Sequence, residues 1–263
     1  MAKSSNQLPP DEELPTVGQR KTFYFNDNGQ PAYQVYDLVA EDFLNPQPGD
    51  EFFHGETHDR AVRILSSMLH HHYRYSPTAS VHIRRKVVWP GTALDQPMPD
   101  IVVVNNLVDP FRLRPVLDIA AEQAALGVEG EVSVRAIFEV TSPALATIDA
   151  EAKAVLYARA GVPEYWIIDS GLRPDNDQVH FAISGYTLQG DTYQAIAPDA
   201  QQRLESKACR LWLAVAPDAQ SIILGDLRTG KTLPMPAEED DPSISAQAEA
   251  SRRAQSIAAQ LKL

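Results

Sequence analysis

The sequence predicts an α/β fold in which short strands alternate with helices, and three stretches carry that reading. Over residues 57–73, Ala61, Ile64, Leu65, Met68 and Leu69 recur at three- and four-residue steps, the period of a helix with one apolar face. The stretch EVSVRAIFEV sets Val134, Ala136, Phe138 and Val140 on one face and Arg135, Ile137 and Glu139 on the other, as a strand does. A helix over Asp149–Ala160 follows, and then the strand EYWIID.

The bulk numbers agree with a globular chain. Its 263 residues are 44% hydrophobic and 22% charged, enough for one large domain or two small ones. No run approaches the ~18 consecutive apolar residues of a membrane span, and MAKSSNQLPPDEELPT has no apolar signal region. The single cysteine, Cys209, cannot form an internal disulfide. The expectation is a cytoplasmic protein without a membrane partner.

Residues 1–20 are polar and carry Pro9, Pro10 and Pro15, which reads as a poorly ordered arm before a main domain over 21–232. After the first helix, SVHIRRKVVW alternates Val81, Ile83, Val87 and Trp89 as one strand. A turn-rich PGTALDQPMP leads to Asp100 and the short buried strand IVVVN. Residues 106–131 read as an insertion with its own helix near Val116–Leu126, ended by Gly127. Ser142-Pro143 stops the strand of Glu139. Thr147 is a candidate cap for the next helix, with Gly161 at its exit and Pro163 just beyond. The stretches VHFAISGYTL, DTYQAIA and SIILGDL read as later antiparallel strands. A Pro-rich, acidic linker over 233–244 precedes a helix over 245–263. There Ala250, Ala254, Ile257 and Leu261 make a candidate homodimer seam of barely two heptads.

The net charge of −12 argues against a nucleic-acid partner, because phosphate neutralisation supplies much of that affinity. Its distribution argues the other way. Between His54 and Pro90, Arg60, Arg63, Arg74, Arg84, Arg85 and Lys86 stand against Glu56 and Asp59, a local balance of +4. That window either faces a phosphate backbone or is a solvated helix face and an ordinary strand.

Phosphodiester hydrolysis needs a divalent cation, an activated water and positive charge near the transition state. Mg²⁺ takes hard oxygen ligands and only one or two protein carboxylates, and a lysine beside the water can orient it and balance charge. The sequence offers such a set. Asp100 opens the IVVV strand after Pro99, which places its carboxylate at a strand edge. Glu139 lies in an otherwise apolar strand, where a bound cation would offset the cost of its charge. Lys153 stands on the following helix, and Asp149, Lys153 and Tyr157 fall four apart on one face. Asp149 either pairs with Lys153 as surface residues do or holds it toward the site, with Tyr157 lining that site. Glu164-Tyr165-Trp166 reads as strand and core. The consecutive His70, His71 and His72 point in three directions and form no metal face.

MPDIVVV, IFEVTSP and DAEAKAVLYARAGVPEYWIID together resemble a bacterial restriction-endonuclease family within the PD-(D/E)XK nuclease superfamily. The match is close over about residues 100–170. His58, near the family's helical His, extends it toward the N-terminus as an auxiliary residue. The resemblance implies a restriction-endonuclease-like fold, a mixed sheet flanked by helices, with Mg²⁺ (or Mn²⁺) held by Asp100 and Glu139. It implies a Mg²⁺-dependent endonuclease acting on DNA, with the Val140 carbonyl as third ligand and Lys153 positioning the attacking water. One departure stands out: the superfamily's lysine position, two residues after the acid, is Thr141 here, and Lys153 stands where a lysine relocated to the helix would. The alternative is a nuclease fold that no longer cleaves and serves as a binding or assembly module.

Overall fold

The computed structural model describes residues 16–90, 95–110, 115–128, 130–141, 145–172 and 179–234. The chain opens with strands β1 (Gly18–Phe25) and β2 (Pro31–Leu38), a 3-10 turn (Ala40–Leu44) and β3 (Asp50–Phe52). Helix α1 (Glu56–Tyr73) leads to β4 (Ala79–Ile83), β5 (Lys86–Val88) and β6 (Ile101–Asn105). Then come β7 (Val116–Asp118), helix α2 (Ile119–Leu126) and β8 (Ser133–Thr141). A π-helical turn (Ile148–Lys153) runs into helix α3 (Ala154–Arg159). The rest is strands: β9 (Glu164–Leu172), β10 (Val179–Gln189), β11 (Thr192–Ala195), β12 (Leu204–Ser206), β13 (Leu211–Val215) and β14 (Ile222–Asp226).

Six of these strands form the central mixed sheet, in the order β11-β10-β9-β8-β6-β4. Only β8 and β9 run parallel in it, joined by the crossover through α3; their neighbours are antiparallel. Smaller sheets, β2-β1-β3, β12-β13-β14 and the parallel pair β5-β7, pack around it. The mixed α/β architecture is therefore the one the sequence predicted.

Strand β6 explains why the IVVV run is continuous rather than alternating, since it is covered on both sides. Ile101 and Val103 join a core with Leu65, Met68 and Leu69 of α1, while Val102 and Val104 face Leu117, Leu156 and Tyr157 on the opposite side. Each such fully buried chain contributes roughly 1.5–3 kcal/mol. Strand β8 departs from the simple alternation. Its pairing with β6 shifts register between Val103 and Val104, so Val134 falls in the second core beside Ile137 while Ala136, Phe138 and Val140 stay in the first. A bulge inserts one residue and turns the following side chains over.

Other differences have local causes. The single strand expected over SVHIRRKVVW breaks into β4 and β5 at Arg84, which has φ +48°. For a side chain as large as arginine, that left-handed backbone costs on the order of 1–2 kcal/mol. The helix expected from Val116 starts at Ile119, because Val116–Asp118 pair with β5 and the Asp118 carboxylate caps the helix by accepting the Ala121 N–H (2.9 Å). Thr147 is already helical and makes no side-chain cap bond. Gly18 to Arg20, read as part of the polar arm, belong to β1.

The β1–β2 hairpin was not read from the sequence. Its turn, Asn26 to Gly29, carries Gly29 at φ +71°, and Asn26 Oδ1 accepts the N–H groups of Asn28 and Gln30. An Asn-Gly pair between aromatic runs is a hairpin signal. A small cluster of Val17, Leu38, Phe43 and Leu145 ties this sheet to the segment leading into the π-helical turn. No helix among the described residues is long and apolar enough to cross a membrane. Residues 235–263, which hold most of the expected linker and the C-terminal helix with its candidate homodimer seam, lie outside the described residues, as do Ser142 and Pro143.

Candidate active site

Strand β8 and the turn after it decide where the chemistry gathers. Glu139 is the one acid on a nine-residue strand whose last six residues are all buried or nearly so. Asp100 stands just before β6, the antiparallel neighbour, and Ile101 pairs with Phe138, so the two carboxylates come side by side. The edge position expected for Asp100 is not a wet one: it is 6% exposed. Its Oδ2 accepts the Val140 N–H (2.9 Å) and lies 3.1 Å from His58 Nε2, while its own N–H points to Glu139 Oε2 at 3.4 Å.

The π-helical turn brings the other half. Asp149 and Lys153 both lie on it and are 2% and 3% exposed. Lys153 Nζ is 3.2 Å from Glu139 Oε1 and 2.8 Å from Asp149 Oδ1, and also lies 5.5 Å from the centre of the Phe43 ring. Tyr157 donates its hydroxyl to Glu139 Oε1 at 2.6 Å, and Tyr165 donates to the Asp149 carbonyl at 2.9 Å. The structure thus brings together Asp100, Glu139, Asp149, Lys153, Tyr157 and His58, all of them buried. Val140 lines the same cavity.

Charges this close and this dry shift one another. Burial and the neighbouring Asp149 and Asp100 charges push the Glu139 carboxyl up to about 7, against the pull of Lys153. Burial also works against ionised Asp100, but the His58 bond and the Val140 N–H outweigh it, and its pKa is lowered. Burial opposes the charge on His58 and Lys153 too; the Asp100 bond and the Glu139 and Asp149 charges reverse the sign and raise both. Burial and Glu139 push the Tyr157 phenol well above its ordinary value, so it stays a donor.

Three wall residues were not singled out by sequence. His54 stacks on His58, ring centres 4.3 Å apart, and burial together with His58 lowers it to about 4. Phe43 and Phe52 pack with ring centres 3.9 Å apart and planes tilted by 35°, and bring the N-terminal sheet over the cavity. Nothing in their spacing marks them, because long-range pairing of β1 with β3 puts them there.

The donor set suits a hard cation. Among the described residues, Asp100 Oδ1 has Arg84 Nε near it, at 3.6 Å, and Glu139 Oε2 has the long Asp100 N–H bond. These two oxygens belong to carboxylates at neighbouring strand ends, the number Mg²⁺ ordinarily takes from protein. No group of three or more His, Cys, Asp or Glu among the described residues is arranged as a metal cage. The cavity, about 10 Å³, is room for roughly one water-sized body.

Compared with known families, the chain matches the Uma2 profile, described as "Putative restriction endonuclease", over residues 30–216. It belongs to the Uma2 family. Membership makes this Uma2 protein a nuclease-like protein, and the matched span contains every residue of the cluster above. Among solved structures it is similar to the crystal structure of "a putative nuclease belonging to DUF820" from Anabaena variabilis ATCC 29413. Identity is 13%, the TM-score is 0.37, and the alignment covers 79% of this chain and 87% of that one. No curated protein matches.

Proposed function

We propose that this Uma2 protein is a metal-dependent endonuclease that hydrolyses DNA phosphodiester bonds with Mg²⁺ or Mn²⁺. The observation that carries the reading is the burial of Asp100, Glu139 and Lys153 within one cavity, with a carboxyl at about 7 among them. Packing does not call for such a cluster, which costs several kcal/mol to desolvate, whereas catalysis by charge stabilisation does.

Asp100 Oδ1 and Glu139 Oε2 are the oxygens that would hold the cation, with the Val140 carbonyl as a third ligand. Bound there, the cation would supply Lewis-acid polarisation of the phosphate and a more acidic water. Lys153 holds Glu139 in place and presents its ammonium to the cavity, where it would orient the attacking water and balance developing charge. His58 fixes the Asp100 carboxylate from the opposite side, Tyr157 fixes Glu139, and Asp149 fixes Lys153. Cellular DNA and a cytoplasmic location are part of this reading.

The test is supercoiled and linear DNA, with RNA alongside, incubated with purified protein and Mg²⁺, Mn²⁺ or EDTA. Cleavage of DNA that needs the cation and disappears in Asp100→Ala and Glu139→Ala supports the reading; cation-independent cleavage, or none, defeats it. One observation favours the second reading, a binding module without turnover. Lys153 is 3% exposed and already paired with two carboxylates. Metal and DNA binding with no cleavage under any of these conditions would establish that module instead.

A further inference from the structure

Arg84 sits at the same cavity, yet neither the cation ligands nor the buried lysine account for it. Its left-handed backbone, φ +48°, ends β4 one residue after Ile83 and turns the chain out of the sheet. The backbone N–H donates to the Asp100 carbonyl at 3.0 Å, which fixes this kink directly beside the candidate site. An ordinary strand residue here would point along the pleat; the kink sends the guanidinium to the cavity mouth instead.

The side chain is held there from several directions. Nη2 donates to Asp59 Oδ1 and lies 3.4 Å from His58 Nδ1. Nε is 3.6 Å from Asp100 Oδ1, and this buried N–H makes no hydrogen bond. The side chain is 34% exposed, against 3% for Lys153, so Arg84 is the more outward-facing of these two cations among the described residues of the cavity. A guanidinium presents donors in a planar fork that matches the paired oxygens of a phosphate, and it keeps its charge at any working pH. Retaining a strained arginine is a recurrent sign of function. In a chain of net charge −12, a fixed cation at the mouth also marks where an anion can approach.

We infer that Arg84 forms a phosphodiester-binding subsite, its fork engaging a non-bridging oxygen of the scissile phosphate at the cavity mouth. The inference rests on the nuclease reading above and adds the residue that anchors the substrate. Asp59 holds the guanidinium and is a positioning residue.

The experiment compares Arg84→Gly, Arg84→Lys and Asp100→Ala with the native protein. DNA binding is measured over a range of salt with Ca²⁺ replacing Mg²⁺, cleavage is measured with Mg²⁺, and all four proteins are melted. Glycine takes a positive φ without strain, which offsets part of the lost Asp59 and Asp100 interactions, so Arg84→Gly is expected to remain fully folded at the assay temperature. Its cleavage kcat/KM is expected to fall about a hundredfold, and its binding to lose roughly one unit of salt slope. Arg84→Lys is expected to recover the slope but not the rate, because an ammonium lacks the fork. Native kcat/KM and slope in Arg84→Gly, with cleavage lost in Asp100→Ala, would overturn the subsite alone. A loss that follows the unfolded fraction with an unchanged slope would overturn it too. If the native protein neither binds nor cuts DNA, the nuclease reading falls and takes the subsite with it.

Discussion

Lys153 Nζ and Glu139 Oε1 meet at 3.2 Å although the two residues stand on different elements, one in the π-helical turn and one in strand β8. In the proposed site the ammonium would stand in for a lysine at position 141, two residues along the strand from Glu139 and so on the same face. Its neighbours there are two carboxylates, so the ion pair serves as both structure and candidate chemistry.

Removing that lysine leaves Glu139 and Asp149 buried without their cation. Breaking a buried pair from one side costs about 3–5 kcal/mol, so Lys153→Ala should melt roughly 10 °C below the native protein without metal. Mn²⁺ should raise the variant's Tm more than the native one, because the incoming charge replaces the one removed. Cleavage should fall by about two orders of magnitude even in saturating Mn²⁺. Calorimetry with and without Mn²⁺, beside a cleavage assay, checks both; equal metal shifts would contradict the first.

The two carboxylates can be neutralised with little change of shape. Asp100→Asn and Glu139→Gln should each abolish metal-dependent cleavage, and the double variant should lose the thermal shift with Mg²⁺, since only a ligand of the folded state stabilises it. A shift that survives in the double variant would locate the cation elsewhere.

Glu139 also makes a prediction about pH. Its folded pKa, about 7, is above the ordinary carboxyl value of 4.5. Between these values the folded protein holds a proton that the unfolded chain has released. This contribution to stability is therefore full below pH 4.5 and is lost as pH rises through 7. Metal-free native protein should lose stability across that window, and Glu139→Gln should flatten the decline. Parallel curves for the two proteins in denaturant titrations would refute the assignment.

Two glycines give a test of the fold independent of the site. A Cβ on Gly185 would stand 2.3 Å from the Trp166 ring, and one on Gly225 would stand 2.0 Å from Trp212. Trp166 is fully buried and stacked on Phe138, so it has no room to retreat. Gly185→Ala should cost at least about 1–3 kcal/mol, the usual range for overpacking, seen as a lower denaturation midpoint. An unchanged midpoint would mean that β9 and β10 pair in another register.

Local pattern carried most of the frame. The period of α1, the apolar run of β6 and the strand of Glu139 were legible because burial on a helix or sheet writes itself into sequence spacing. Glu139 was legible as chemistry because a charge in an apolar strand breaks an expectation, whereas Asp100 at a strand edge and Lys153 on a helix are ordinary placements and stood out only through the resemblance of MPDIVVV, IFEVTSP and DAEAKAVLYARAGVPEYWIID. Arg84 as part of the cavity was not, because its position depends on a backbone turned to positive φ inside a run that alternates like one strand. His54 and Phe43 reach the cavity through pairings between distant segments, which no window of sequence contains. The face of Val134 was misread for a related reason: a bulge has no signature in the alternation it interrupts.

The ring of Tyr157 has a second neighbour. Its centre lies 6.5 Å from that of Trp89, a nearly buried indole, while its hydroxyl is bonded to Glu139. A tryptophan's emission responds to nearby charge, so a change of charge at Glu139, by proton loss or by capture of the proposed cation, should alter the emission of Trp89. In the proposed site Trp89 would serve as an optical reporter, readable without label or substrate. The other two tryptophans supply the background against which it is read: Trp166 donates to Glu164, and Trp212 lies under Arg203.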